Sequence, residues 1–178
     1  MINNFFYKFL IIFSLFIFNF YPVKAEQFNF NVTEIEILDN GNLYKGLNRG
    51  VIETDNGVII NADNFIYNKL TNIVNAQGQV KLEDKVNNYI IFSDKATYKR
   101  NEEIVFTDGN SRAIDNQNRE IIADKITYSK NPNTFVAEGQ VKLEDKSEQY
   151  EIYSEILTYF KNEEKIITKG FTEANIQS

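Results

Sequence analysis

The chain contains no cysteine and no histidine, and only two of its 178 residues are proline. Without cysteine it can form no disulfide, so a sheet or a packed core must stabilise the fold unaided, and there is no thiol to carry a lipid at the N-terminus. Without histidine it lacks the commonest acid–base group and the commonest metal ligand. These two absences remove the side chains most often used for catalysis and metal binding, and so favour a protein that is not an enzyme.

Basic residues are outnumbered by acidic ones, 19 Lys and Arg against 25 Asp and Glu, which gives a formal charge of −6. Nucleic acids and anionic membrane surfaces bind proteins mainly through cationic side chains. The charge therefore argues against either as the main partner, and we expect no nucleic acid to bind.

The first 25 residues differ from the rest of the chain. Lys8 precedes an apolar run from Phe9 to Tyr21, and the segment ends on Val23-Lys24-Ala25. This pattern is typical of a secretory signal peptide. The alternative is an uncleaved membrane anchor over residues 5–23, but Lys8 and Asn19 within that stretch favour cleavage after Ala25. Residues 26–178 then form one exported domain with a formal charge of −8, because Lys8 and Lys24 are lost.

An internal repeat organises the exported part. Ala76–Asp84 returns as Ala137–Asp145 with one change in nine residues, and a shorter unit lies within that spacing. An acidic residue, here called the anchor, recurs at steps of 31, 30 and 31 residues, with isoleucine three before it, tyrosine four after it and glycine fifteen after it. The four anchors are Asp63, Asp94, Asp124 and Glu155. We predict repeats over 58–176 and a degenerate first unit over 26–57 that caps the end.

Runs of about eleven residues rich in Ile, Val, Thr, Phe and Tyr alternate with polar turns, which predicts antiparallel strands, two per repeat. The apolar alternation slips at each anchor, because the positions three and one before it have opposite parity to those two and four after it. A bulge or bend at the anchor and at the repeated glycine would bring both sets to one side. The sequence therefore predicts an all-β, folded-over sheet with one apolar inner face.

Four carboxylates in a repeated pattern could suggest an active site or a calcium site. Repetition favours a structural role at the bend, because identical surroundings cannot separate acid and base roles. No oxygen-rich calcium loop surrounds the anchors, and no phosphate loop or nucleophile elbow occurs. We therefore predict no catalytic residue, no metal and no cofactor. The repeated tyrosines are predicted to pack the sheet edge with their hydroxyls in water, with carbohydrate stacking as the alternative.

The repeat resembles the OstA-like domain of the lipopolysaccharide-transport family, which occurs in the bridge protein LptA and at the N-terminus of LptD. The resemblance is carried by Ile59-Ile-Asn-Ala-Asp63 with Ala76-Gln-Gly-Gln-Val80, and by Ile121-Ile-Ala-Asp124 with Val136-Ala-Glu-Gly-Gln-Val141. It covers roughly residues 58–176, and the second and fourth units match less well, with Ser in place of Ala before the anchor. The resemblance implies an antiparallel β-jellyroll.

The resemblance also implies a function. Such a protein would lie in the periplasm, or in association with the outer membrane, and would carry lipopolysaccharide acyl chains in an apolar groove. It would join itself and other Lpt components end to end through terminal strands. The predicted groove residues are Ile60, Phe65, Val80, Leu82, Ile91, Ile121, Ile126, Val141, Leu143, Ile152 and Leu157. The acidic balance fits acyl-chain binding better than phosphate capture, because the sequence shows no cationic cluster.

Several alternatives remain open at the level of the sequence. The chain could be the N-terminal part of LptD, or an anchored component like LptC if residues 1–25 are retained. From another class, it could be a structural β-solenoid that binds no lipid, which a dry and fully packed interior would indicate. An enzyme acting on glycans is the least favoured, because it would need unlike carboxylates in a cleft.

Overall fold

A computed structural model describes residues 28–176 of the chain. The predicted signal peptide lies outside the described residues. Within 28–176, no helix is long and apolar enough to cross a membrane. The regular structure there consists of β-strands and two short 3-10 turns, Asp39–Gly41 and Lys161–Glu163. The prediction of an all-β chain is confirmed.

Thirteen strands of this described part of the chain pair antiparallel in a single folded sheet. They are β1 (Phe28–Leu38), β2 (Leu43–Thr54), β3 (Val58–Ala62), β4 (Asn64–Asn68), β5 (Ile73–Asp84), β6 (Tyr89–Lys99), β7 (Ile104–Asp108), β8 (Ser111–Asp115), β9 (Glu120–Ala123), β10 (Lys125–Ser129), β11 (Thr134–Asp145), β12 (Tyr150–Phe160) and β13 (Lys165–Ile176).

The sheet folds into two layers along one line, the bend. Seven long strands cross the bend, and three pairs of short strands, β3 with β4, β7 with β8 and β9 with β10, meet at it. The first layer contains 28–32, 50–54, 58–62, 80–84, 89–93, 111–115, 120–123, 141–145, 150–154 and 172–176. The second layer contains 34–38, 43–47, 64–68, 73–77, 95–99, 104–108, 125–129, 134–138, 156–160 and 165–169.

The bend forms where the alternation slips. Strand register shifts between Gln77 and Val80 in β5, and the equivalent shift occurs in β11 and β12. The backbone N–H of each of the first three anchors donates to the carbonyl of the glycine fifteen residues later, at 2.9 Å in every case. The anchor backbone therefore makes the repeated hydrogen bond. The predicted bend is confirmed, since Ile60, Ala62, Phe65 and Tyr67 are all buried.

The repeated glycine at the bend has a positive φ and also has no room for a β-carbon. Gly139 has a φ of +77° and lies directly under the Asp124 carboxylate, which a β-carbon would strike. Gly41 has a similar φ of +85° but has open space around it. We expect Gly41→Ala to cost about 1 kcal/mol from backbone strain alone. Gly139→Ala should cost about 2–4 kcal/mol, because overpacking adds about 1–3 kcal/mol. Urea unfolding measures both, and equal costs would mean that the carboxylate imposes no constraint.

The interior is filled because large and small side chains alternate across neighbouring strands. Phe65 stands opposite Ala76 on the adjacent strand, and Ala137 stands between Ile126 and Leu157. Dense interiors are built by this kind of interdigitation. The two layers therefore lie close enough for their side chains to form one continuous hydrophobic core.

Candidate functional site

The predicted groove residues come together in the interior between the two layers. Ten of the eleven are buried, and Ile152, near the C-terminal end of the roll, is partly buried and packs against the others. They line a closed interior, whereas the resemblance implied an apolar groove that holds acyl chains. One cavity among Tyr89, Phe135, Leu143 and their neighbours has a volume of about 10 Å³, at the lower limit for a single water molecule.

The edge opposite the bend is here called the lip. Turns of the first layer, at 55–57, 85–88, 116–119 and 146–149, face turns of the second layer, at 69–72, 100–103, 130–133 and 161–164. The backbone hydrogen bonds found between neighbouring lip turns stay within one layer. The Lys85 N–H, for example, donates to the Gly57 carbonyl at 3.0 Å, and the Lys130 N–H donates to the Glu103 carbonyl at 3.0 Å.

Side chains, by contrast, connect the two layers across the lip. Arg100 Nη2 lies 2.6 Å from Asp55 Oδ1. Lys130 Nζ lies 3.2 Å from Asp84 Oδ1, and Lys161 Nζ lies 3.4 Å from Asp115 Oδ2. In each pair the carboxylate belongs to the first layer and the cation to the second. Asp84 and Asp115 are buried, so two of these three pairs are shielded from water.

The repeated tyrosines contribute to the same connections. Their rings are buried, so they leave no open face on which a sugar could stack. The Tyr128 hydroxyl donates to Asp84 Oδ2 at 2.8 Å, and the Tyr98 hydroxyl accepts from Asn56 Nδ2 at 2.8 Å. The prediction that the tyrosine hydroxyls reach water is wrong, because the strand register points the rings into the core and the hydroxyls at the lip.

The lip network favours charged carboxylates. Burial raises the pKa of Asp84, but hydrogen bonds from Tyr128 and the Asn87 backbone, together with the charge of Lys130, outweigh it and leave the pKa below its usual value. Another cross-layer contact joins Arg119 of the first layer to Glu164 of the second. There the hydrogen bond from Arg119 lowers the pKa of Glu164 to about 2. The Asp84 and Glu164 carboxylates are therefore ionised near neutral pH, and their cross-layer contacts are ion pairs.

The sequence was not expected to form this network, although the repeat contains a signal for it. A basic residue occurs six positions after every anchor: Lys69, Arg100, Lys130 and Lys161. An aspartate occurs twenty-one positions after each of the first three: Asp84, Asp115 and Asp145. The sequence presents these residues as separate turn positions. The fold aligns all four basic residues along the second-layer side of the lip. Three of them, Arg100, Lys130 and Lys161, meet a first-layer carboxylate there.

The two ends of the roll differ from its middle. Among the described strands, β1 and β13 form the two edges of the sheet, each paired on one side only. Ile35 and Ile37 share the inner face with Gly46 and Tyr44 and are about half exposed. At the other end, Ile176 lies beside Tyr150 and is 78% exposed. Within residues 28–176, nothing covers the apolar interior at either end.

No protein-family profile matches the chain, and no match was found among curated proteins. Among solved structures, the chain is similar to LptH of Pseudomonas aeruginosa, described as the LptA-homologous periplasmic component of the lipopolysaccharide transport device. Sequence identity is 13% and the TM-score is 0.54, over 86% of this chain and 96% of LptH. The chain has the LptH fold. This confirms the predicted antiparallel β-jellyroll and supports the resemblance to the lipopolysaccharide-transport family.

Proposed function

We propose that this chain is a periplasmic lipopolysaccharide-binding transport protein, which carries acyl chains in its interior as part of a bridge to the outer membrane. The observation that carries the proposal is the continuous apolar interior, which runs the length of the roll between two layers that the chain joins only at the bend. The likeness to LptH supports it at the level of the fold. The eleven predicted residues would contact the acyl chains.

One observation favours a second candidate. The interior is closed and well packed, which is the property expected of a structural β-solenoid that binds no lipid. Acyl chains could enter only if the two layers separate. The hydrocarbon would then replace the contacts that side chains of one layer now make with those of the other. Such a replacement is physically reasonable, because hydrophobic burial is non-directional and depends on the apolar area removed from water.

We infer that the ends join copies of the chain, and other Lpt components, head to tail. β13 of one copy beside β1 of the next would continue the antiparallel ladder. If the register of the sheet continued across this junction, Lys169 would lie opposite Glu34 of the next copy. Both residues belong to one row of outward-facing side chains that crosses the strands of the second layer. In that row Lys125 and Asp108, on neighbouring strands, already form an oppositely charged pair 3.9 Å apart. The exposed inner faces at the two ends would then cover each other.

Photo-crosslinking in cells tests the proposal. We expect a photoreactive residue at Phe65, Ile126 or Leu157 to form lipopolysaccharide adducts, because these side chains face the interior. Ile122 and Ile167 are matched controls, being exposed on the outer faces of the two layers, and should give no adduct.

A photoreactive residue at Ile176 should instead give a product of twice the protein mass. Equal labelling of interior and outer positions, or none at either, would contradict lipid carriage and favour the structural β-solenoid. Lipid adducts without the doubled product would leave lipid carriage in place and contradict end-to-end assembly.

A further inference from the structure

The two edges of the roll are built differently. At the bend, the long strands pass from one layer to the other, and backbone hydrogen bonds such as Asp124 N to Gly139 O run along the line. At the lip, the connections found between the layers all involve side chains, such as the Arg100–Asp55 and Arg119–Glu164 pairs. Breaking the lip connections would leave every strand pairing intact. The lip is therefore the edge at which this fold can open.

The lip connections follow the repeat. Arg100, Lys130 and Lys161 follow strands β6, β10 and β12 of the second layer, and each is separated from the next by one intervening strand. At the usual strand spacing this places the cations about 9.5 Å apart along the edge. Each meets a first-layer carboxylate, so one kind of contact closes three successive segments of the roll.

Once the lip opens, Arg100, Lys130 and Lys161 are available to bind another anionic group. Lys130 is only 9% exposed at its side chain and donates both to Asp84 and to the Asn56 carbonyl. Lysine and arginine form charge-assisted hydrogen bonds with phosphate as they do with carboxylate. An amphiphile with anionic groups at its polar end could replace the carboxylates at these cations while its chains enter the interior behind them.

We propose that Arg100, Lys130 and Lys161 are a phosphate-binding latch, which holds the lip closed against Asp55, Asp84 and Asp115 until a phosphorylated lipid takes their place. The inference rests on the proposed function, because it assumes that the ligand is an amphiphile with apolar chains. It adds a chemical class for the head group and names the residues that bind it. An acyl chain with a neutral head would have to open the lip without this exchange.

The latch itself is tested without lipid. Ala137 is fully buried, and the chain has no cysteine, so Ala137→Cys supplies a single interior thiol whose reaction rate reports opening. Asp84→Asn with Lys130→Gln removes both charges of one pair and leaves no unpaired buried charge. We expect the thiol to react at least tenfold faster, with little dependence on urea, because local opening exposes much less surface than unfolding.

Glu36→Gln with Lys45→Gln is the matched control, since it removes an exposed ion pair away from the lip and should leave the rate unchanged. If neutralising the lip pair gives an unchanged rate, the pair does not close the roll. A faster rate that rises steeply with urea would show that the variant unfolds globally and would likewise count against a local latch.

Lipid binding is tested with a lip that can be locked. Asn56 Nδ2 donates to Glu103 Oε1 across the lip at 2.9 Å, so Asn56→Cys with Glu103→Cys can be joined by dibromobimane. We expect the unlocked variant to bind fluorescent lipopolysaccharide and the locked one to bind at least tenfold more weakly. Lipopolysaccharide stripped of its phosphates should bind the unlocked variant at least tenfold more weakly than the intact lipid.

The outcomes separate the two hypotheses. Equal binding by locked and unlocked protein would overturn the latch and leave lipid carriage in place. Equal binding of phosphorylated and dephosphorylated lipid would overturn the role of the cations as a phosphate site. If neither form binds to any variant, the proposed function fails together with the phosphate site, whereas the thiol measurement decides separately whether the ion pairs close the lip.

Discussion

Replacing Lys130 with methionine should destabilise the protein by about 3–5 kcal/mol, because it leaves the Asp84 carboxylate buried without its cation. The Lys130 side chain is 9% exposed and that of Asp84 is fully buried, so water cannot take the place of the ammonium group. Two hydrogen bonds from Lys130 Nζ, to Asp84 and to the Asn56 carbonyl, are lost together. For a domain of this size the loss should lower the Tm by about 10 °C.

A double-mutant cycle makes this prediction specific. Asp84→Asn combined with Lys130→Met should recover most of the loss, because the amide oxygen introduced at position 84 can still accept from Tyr128 and no charge remains to be neutralised. Lys45→Met breaks the exposed Lys45–Glu36 pair and should cost at most about 1 kcal/mol. A cost for Lys130→Met no larger than that of this control would mean that water reaches Asp84, and the lip would then be open in the free protein.

The bend could be predicted from the sequence because its cause is local. The parity change at each anchor depends only on positions within one strand, and Gly78 follows Asp63 at the same spacing as Gly139 follows Asp124. Local parity decides which face a side chain occupies. The predicted residues on both sides of the anchors therefore all face inward.

The state of the interior could not be predicted in this way. Whether Phe65 and Leu157 line an open groove or a closed core depends on the distance between the layers, and no spacing along the chain encodes that distance. The lip pairs are partly predictable from the sequence. Five of their six residues recur at fixed positions after the anchors, the exception being Asp55, but Asp84 and Lys130 are 46 positions apart. Only the pairing of the strands shows that the cation of one unit meets the carboxylate of the unit two before it.

Phe135→Ala should cost about 3–5 kcal/mol in the free energy of unfolding. Phe135 is fully buried, and its ring lies 4.4 Å from the Tyr128 ring and 4.6 Å from the Tyr89 ring. Both neighbouring tyrosines reach toward the lip. Their anchoring would be lost together with the hydrophobic contacts of Phe135.

Phe171→Ala is the matched control, since that ring is 71% exposed and its loss should change stability by no more than about 0.5 kcal/mol. Urea unfolding of both variants measures the difference. A cost for Phe135→Ala as small as that of the control would show that the interior tolerates a missing ring. Acyl chains could then enter without releasing the lip, and the ion pairs would not be needed to keep the roll closed. A cost in the expected range means that the closed state is held by packing and by the lip together. A lipid must then supply hydrocarbon for the core as well as phosphates for the cations.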